Sequence, residues 1–173
     1  MNVMFHVAVG LTTAVLISDT KQIEEDADYQ TILPLALIGF VIGIISHGAL
    51  DYIPHCYPIN WKLDILFGLL SILILLYLSK GRYKLIFFGS LVGCIFPDLV
   101  DLLPTVINAL FNVALPVYEN IFPWHWEQYS GSIYTEECNV SFINHSLVLL
   151  TVSLVLWSRR KDFIRLLAKN KLD

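Results

Sequence analysis

Seven side chains in this sequence have the types and spacings that do chemistry: His6, His47, Asp51, Asp64, Asp98, Asp101 and His145. Imidazole and carboxylate donors without a thiolate suit Zn²⁺ or another first-row divalent ion, whereas Ca²⁺ or Mg²⁺ would favour oxygens alone. The set exceeds the needs of one tetrahedral ion, so one or two metals are accommodated. An ion held among His6, His47, Asp51, Asp101 and His145, with an open position, would lower the pKa of bound water toward about 7 and supply hydroxide for attack on an ester. Asp98 and Asp64 are the candidate catalytic carboxylates, an unligated Asp being able to act as general base.

The spacing of these residues follows a pattern. Gly39-x3-Gly43-x3-His47-Gly48-x2-Asp51-x2-Pro54 is echoed, fifty residues on, by Gly89-x3-Gly93-x3-Pro97-Asp98-x2-Asp101-x2-Pro104. His47 and Asp51 stand four residues apart and Asp98 and Asp101 three, so each pair projects from one face of its helix. His6-x3-Gly10 and Asp64-x3-Gly68 open two further apolar runs alike. Paired glycines let helix backbones approach closely, which would bring the two acidic helix ends together. Carboxylates meeting there repel unless a cation or protons intervene.

The elements that must carry them are membrane helices. The chain has 173 residues, 56% hydrophobic and 15% charged, which is one domain and too apolar for an ordinary soluble one. Apolar runs at about residues 3 to 18, 31 to 50, 63 to 79, 84 to 102 and 141 to 157 each approach the ~20 residues that cross ~30 Å of hydrocarbon. The first lacks a basic start and a cleavage site and reads as a retained helix. The expected fold is an all-α polytopic integral membrane protein in a single domain. It comprises about five transmembrane helices, as tandem hairpins 1–54 and 60–104, an interfacial segment 105–140, and a last helix with a basic tail over 141–173. Asn108, Asn112, Pro116 and Glu119 favour a surface-lying or re-entrant course for residues 105 to 122 over a sixth crossing, with Trp124 and Trp126 as interfacial anchors.

Charge sets the orientation. Lys80, Arg82 and Lys84 form a basic turn, and Arg159, Arg160, Lys161, Arg165, Lys169 and Lys171 a basic tail. Both should be cytoplasmic. Five spans then deliver all seven site residues to the extracytoplasmic face, and the acidic run Glu24-Glu25-Asp26 to the cytoplasm. The expected location is the cytoplasmic membrane of a bacterium or archaeon. A net charge of −4, with no basic stripe bearing aromatics, gives nucleic-acid binding no support. Cys56 and Cys138 fall in polar loops and would form a disulfide if those loops share an oxidising side.

On these residues the chain resembles the membrane-bound metal-dependent hydrolases of the inner membrane. The matching pieces are Phe5-His6-Val7, His47-Gly48-Ala49-Leu50-Asp51, Gly93-Cys94-Ile95-Phe96-Pro97-Asp98-Leu99-Val100-Asp101 and Asn144-His145-Ser146. His-x3-Asp also resembles the ligand spacing of zinc-dependent phospholipase C enzymes. The resemblance implies a metal-dependent hydrolase of a phosphoester or lipid-linked substrate.

Each residue also has a plainer reading. His47 and Asp51 would simply bond each other, Asp98 would cap a turn after Pro97, and Asp64 would suit the dipole of a helix first turn. His6 and His145 would be interface residues. His55 and His125, in loops, are the weaker ligand candidates. A non-catalytic scaffold with a structural metal is the main alternative function. A cation transporter is the lesser one, because residues 65 to 79 and 147 to 157 offer almost no polar path.

Overall fold

The computed structural model describes residues 1–173 except 21–22, 24–26, 57–58, 132–137, 139 and 168–173. The acidic run Glu24-Glu25-Asp26 and the tail residues Lys169 and Lys171 therefore lie outside the described residues. The described chain is all helix: α1 (Val3–Ile17), α2 (Tyr29–Tyr52), α3 (Trp61–Leu78), α4 (Tyr83–Asp101), α5 (Leu103–Phe111), a 3₁₀ turn at Pro123–His125, α6 (Ser141–Ser158) and α7 (Arg160–Leu167). Helices α2, α3, α4 and α6 are long and apolar enough to cross a membrane, and α1 is a shorter apolar helix of 15 residues.

These five helices are the five predicted runs, and their ends fall within two residues of the predicted ones. Their polar flanks set the limits. The Asp28 carboxylate accepts from the Thr31 N–H to start α2, and the Asn60 side chain accepts from the Lys62 N–H to start α3. Residues 105 to 122 do not form a spanning helix, because α5 ends at Phe111 with Asn112 in the left-handed region, φ 52°. Asn is one of the few side chains that tolerates that conformation. Asn108 then holds the chain beyond it, donating to the Leu115 carbonyl at 2.9 Å and accepting from the Leu115 N–H at 2.7 Å.

The frame of the bundle is the contact between α2 and α4. A Cβ on Gly43 would lie 2.7 Å from the Cys94 nitrogen and 2.9 Å from the Gly93 Cα, and one on Gly93 would lie 2.8 Å from the Phe40 Cα. The two glycine pairs therefore face each other backbone to backbone, as small residues do between membrane helices. Helix α1 lies over the same helix, with Gly10 against Ser90 and Leu91. Val15, Ile32, Ile86, Phe87, Leu91 and Ile95 fill the core between these three helices. The outer faces of α3 and α6 stay apolar and exposed, as Leu73, Ile74, Tyr77, Phe142, Leu150 and Leu154 illustrate, which is the pattern of a surface solvated by lipid.

The two ends of the bundle differ in chemistry. At one end Lys80, Arg82 and the basic helix α7 gather, joined by a bond from the Lys80 N–H to the Leu166 carbonyl. At the other end lie Asp51, Asp64, Asp98, Asp101 and His125, together with a Cys56–Cys138 disulfide that ties the loop after α2 to the approach to α6.

Gly93→Leu should lower the unfolding midpoint in detergent, by an amount corresponding to about 1–3 kcal/mol or more of overpacking. Leu73→Ala, on a side chain 63% exposed, should leave it in place. Equal midpoints for the two variants would contradict the close α2–α4 contact.

Candidate metal centre

Four side chains meet where α2 and α4 end. Helix α2 delivers His47 and Asp51 on one face, α4 delivers Asp98 from its last turn, and the 3₁₀ turn brings His125 over them from the loop. Gly48 makes the last arrival possible. The Trp124 indole packs on it so closely that a Cβ there would lie 2.6 Å from Cε3. Any side chain at position 48 would push Trp124, and with it His125, away from the cluster.

The four inward atoms outline a small cage. His47 Nε2 lies 3.3 Å from His125 Nε2, 3.0 Å from Asp51 Oδ2 and 3.5 Å from Asp98 Oδ1. His125 Nε2 lies 3.4 Å from Asp51 Oδ2 and 3.3 Å from Asp98 Oδ1. A tetrahedral ion with bonds of about 2.0–2.1 Å requires ligand-to-ligand edges of roughly 3.3–3.4 Å. The five edges scatter about that length. His47, Asp51, Asp98 and His125 thus form a group able to hold a metal ion.

Hydrogen bonds behind the cage aim its lone pairs inward. The Cys94 carbonyl lies 2.7 Å from His47 Nδ1 and can only accept, so the proton sits on Nδ1 and the Nε2 lone pair points at the cage. His125 repeats this, donating from Nδ1 to Asp101 Oδ2 at 2.8 Å. Both imidazoles then present lone pairs to each other at 3.3 Å, a contact that repels unless a cation or a proton lies between them. His-to-carbonyl and His-to-carboxylate bonds of this kind are what orient metal-ligating histidines.

The other predicted residues take places around this group. Asp101 stands behind His125 and also accepts from the backbone N–H groups of Ile121 (2.9 Å) and Phe122 (3.0 Å), which pins the loop to α4. His6 is fully buried, stacks on His47 with ring centroids 4.0 Å apart, and places Nε2 at 2.8 Å from the Met1 carbonyl and 3.1 Å from Asp51 Oδ1. That nitrogen is the donor, so His6 supports the outer oxygen of Asp51. The Met1 amino nitrogen also contacts this oxygen. Asp64 accepts from the N–H groups of Val3 (2.7 Å) and Met4 (3.2 Å), so a carboxylate on α3 satisfies the open first turn of α1. His145 is not brought to the cage. It lies on α6, stacked on Phe5 at 4.6 Å, with Nδ1 3.2 Å from Ser141 Oγ.

His125 is the functional residue that spacing could not assign. Its one sequence signal is a histidine between two tryptophans in a polar loop of an otherwise apolar chain. Asn120 fixes that loop, donating to the His125 carbonyl at 3.0 Å and accepting from Trp126 Nε1 at 2.8 Å.

The class defined by fold and site is an all-helical, membrane-like protein with a His₂Asp₂ group suited to a metal ion. No protein-family model matches the chain, and no curated protein or solved structure gives a significant match.

Elemental analysis of purified protein should find the metal in the wild type and little in His47→Ala or His125→Ala. Asp101→Asn should weaken affinity by about 10–100-fold through the misaimed His125, and His145→Ala should retain the metal. Equal content in all of these would contradict the cage. His55 lies in the loop after α2, where burial pushes its pKa down to about 4. The folded chain therefore resists a proton that the unfolded chain accepts near pH 6.5. Stability should be full above about pH 6.5 and fall as pH drops toward 4, and His55→Gln should flatten that loss in an acid titration of the unfolding midpoint.

Proposed function

We propose that this protein is a membrane-embedded, zinc-dependent hydrolase acting on a phosphoester or lipid headgroup at the extracytoplasmic face. The observation that carries the reading is the position of Asp98. The two histidines are fully enclosed and the Asp51 side chain is 8% exposed, whereas that of Asp98 is 22% exposed and lines a cavity beside the cage. One way to the group therefore lies past Asp98. When bound, the ion would polarise the phosphoryl oxygen and lower the pKa of a water. Asp98 would meet the substrate's polar group, and Asp64, which lines the same cavity outside the cage, is the carboxylate left to take a proton from water. Asp101 and His6 would act only through the residues they hold.

Two observations support an extracytoplasmic site. The basic loop and α7 lie at the opposite end of the bundle, which the positive-inside rule puts in the cytoplasm. The disulfide lies at the site's end and suits an oxidising compartment. One observation favours a structural metal instead: four protein donors fill a tetrahedron, the closed pattern of structural zinc.

Turnover in proteoliposomes separates the two readings. The hydrolase reading expects metal-dependent release of phosphate or headgroup from lipid, lost in His125→Ala. Asp64→Asn should reduce kcat by about 10²–10⁴-fold with metal content retained. No turnover in metal-replete protein, together with a large fall in unfolding midpoint on chelation, would replace this reading with the structural one.

A further inference from the structure

Asp98 and Asp64 line a cavity of about 230 Å³ walled by α3, α4, α5 and the start of α1. Its other lining residues are apolar, among them Trp61, Ile65, Leu69, Leu99, Leu103 and Val106. Leu69, Leu99 and Leu103 are each more than a third exposed, so the cavity opens through the side of the bundle. Leu69 stands five positions after Asp64 on α3, a rise of about 7.5 Å at 1.5 Å per residue, so the apolar lining reaches that far along the helix from this carboxylate. Helix α5 supplies one wall through Leu103 and Val106 and buries no residue of its own.

We infer that this cavity binds the hydrocarbon chain of a membrane lipid, whose headgroup then lies toward the cage that Asp98 shares. The medium outside the opening dictates the occupant. The neighbouring outward side chains of α3, Leu66, Phe67, Leu70 and Leu73, are large, apolar and exposed, and at their depth only acyl chains are present to enter. Asp98 belongs both to the cavity's lining and to the cage, so a chain seated there brings its headgroup beside the metal group. As a statement about substrate the inference rests on the hydrolase reading. It makes that substrate an amphiphile that arrives sideways from the bilayer, and excludes a water-soluble phosphoester.

The test uses the full chain in nanodiscs and a hexadecyl phosphate carrying a mid-chain diazirine, with photoadducts mapped by mass spectrometry. Adducts should concentrate on Leu69, Leu99, Leu103 and Val106. Excess unlabelled hexadecyl phosphate should remove them, and glycerol phosphate should not. Val106→Trp should weaken labelling by about tenfold, with Leu99→Trp doing the same from the opposite wall, while background labelling of Leu150 on α6 stays constant. Labelling spread evenly over the outer faces of α3 and α6, or unchanged by both tryptophans, would overturn the inference. Measuring turnover beside the labelling separates the two ideas. Concentrated adducts without lipid turnover in the metal-replete wild type would keep the chain site and remove the hydrolase. Turnover of glycerol phosphate undiminished by Val106→Trp would do the reverse.

Discussion

Two imidazole lone pairs and two carboxylates converge in one small, largely enclosed volume, and the rest of the structure is organised around that fact. With Nδ1 turned to the Cys94 carbonyl in one and to Asp101 in the other, the two imidazoles face each other through Nε2 at 3.3 Å. Asp51 and Asp98 add acceptors to the same space. Without a cation or added protons the contacts across the cage set acceptor against acceptor, in surroundings where an uncompensated charge costs several kcal/mol. With a divalent ion the same contacts become the edges of a coordination tetrahedron.

Such convergence has to be held from outside, and the helices do so through small residues and hydrogen bonds. Gly43 and Gly93 let α2 and α4 touch, which sets the distance between the helix ends bearing Asp51 and Asp98. Gly48 admits Trp124, and Asp101 ties down Ile121 and Phe122, so the loop can offer His125 from a third direction. Asp64 fixes the start of α1, which in turn seats His6 against Asp51 and His47. A rigid surround is what a metal site needs if its ligands are to keep their geometry when empty or exchanging.

The helices were legible in the sequence because lipid imposes a single rule, that a span is a long run of apolar residues, and each run here is bounded by polar residues that cap it. His47, Asp51 and Asp98 were equally legible, since helical spacing and the shared apolar runs put them at one end. The division of labour among the acids was not. Asp98 and Asp101 are three residues apart on one helix, and only the course of the loop after Phe111 decides that Asp98 faces the cage while Asp101 holds His125. His125 itself was beyond local reasoning, because no periodicity governs an irregular loop and its place depends on the contact of Trp124 with Gly48. Asp64 looked like a first-turn acid of its own helix, yet the N–H groups it satisfies belong to α1, a tertiary contact that spacing cannot reveal.

The central claim is that His47, Asp51, Asp98 and His125 bind one ion in a cage of two nitrogens and two oxygens. X-ray absorption at the metal edge of the purified, metal-replete protein tests it most directly. An ion in this cage should show four light ligands at about 2.0–2.1 Å, multiple scattering from two imidazoles, and the loss of one imidazole in His125→Ala. A sulfur ligand, a fully hydrated ion, or an unchanged imidazole signal in that variant would contradict it.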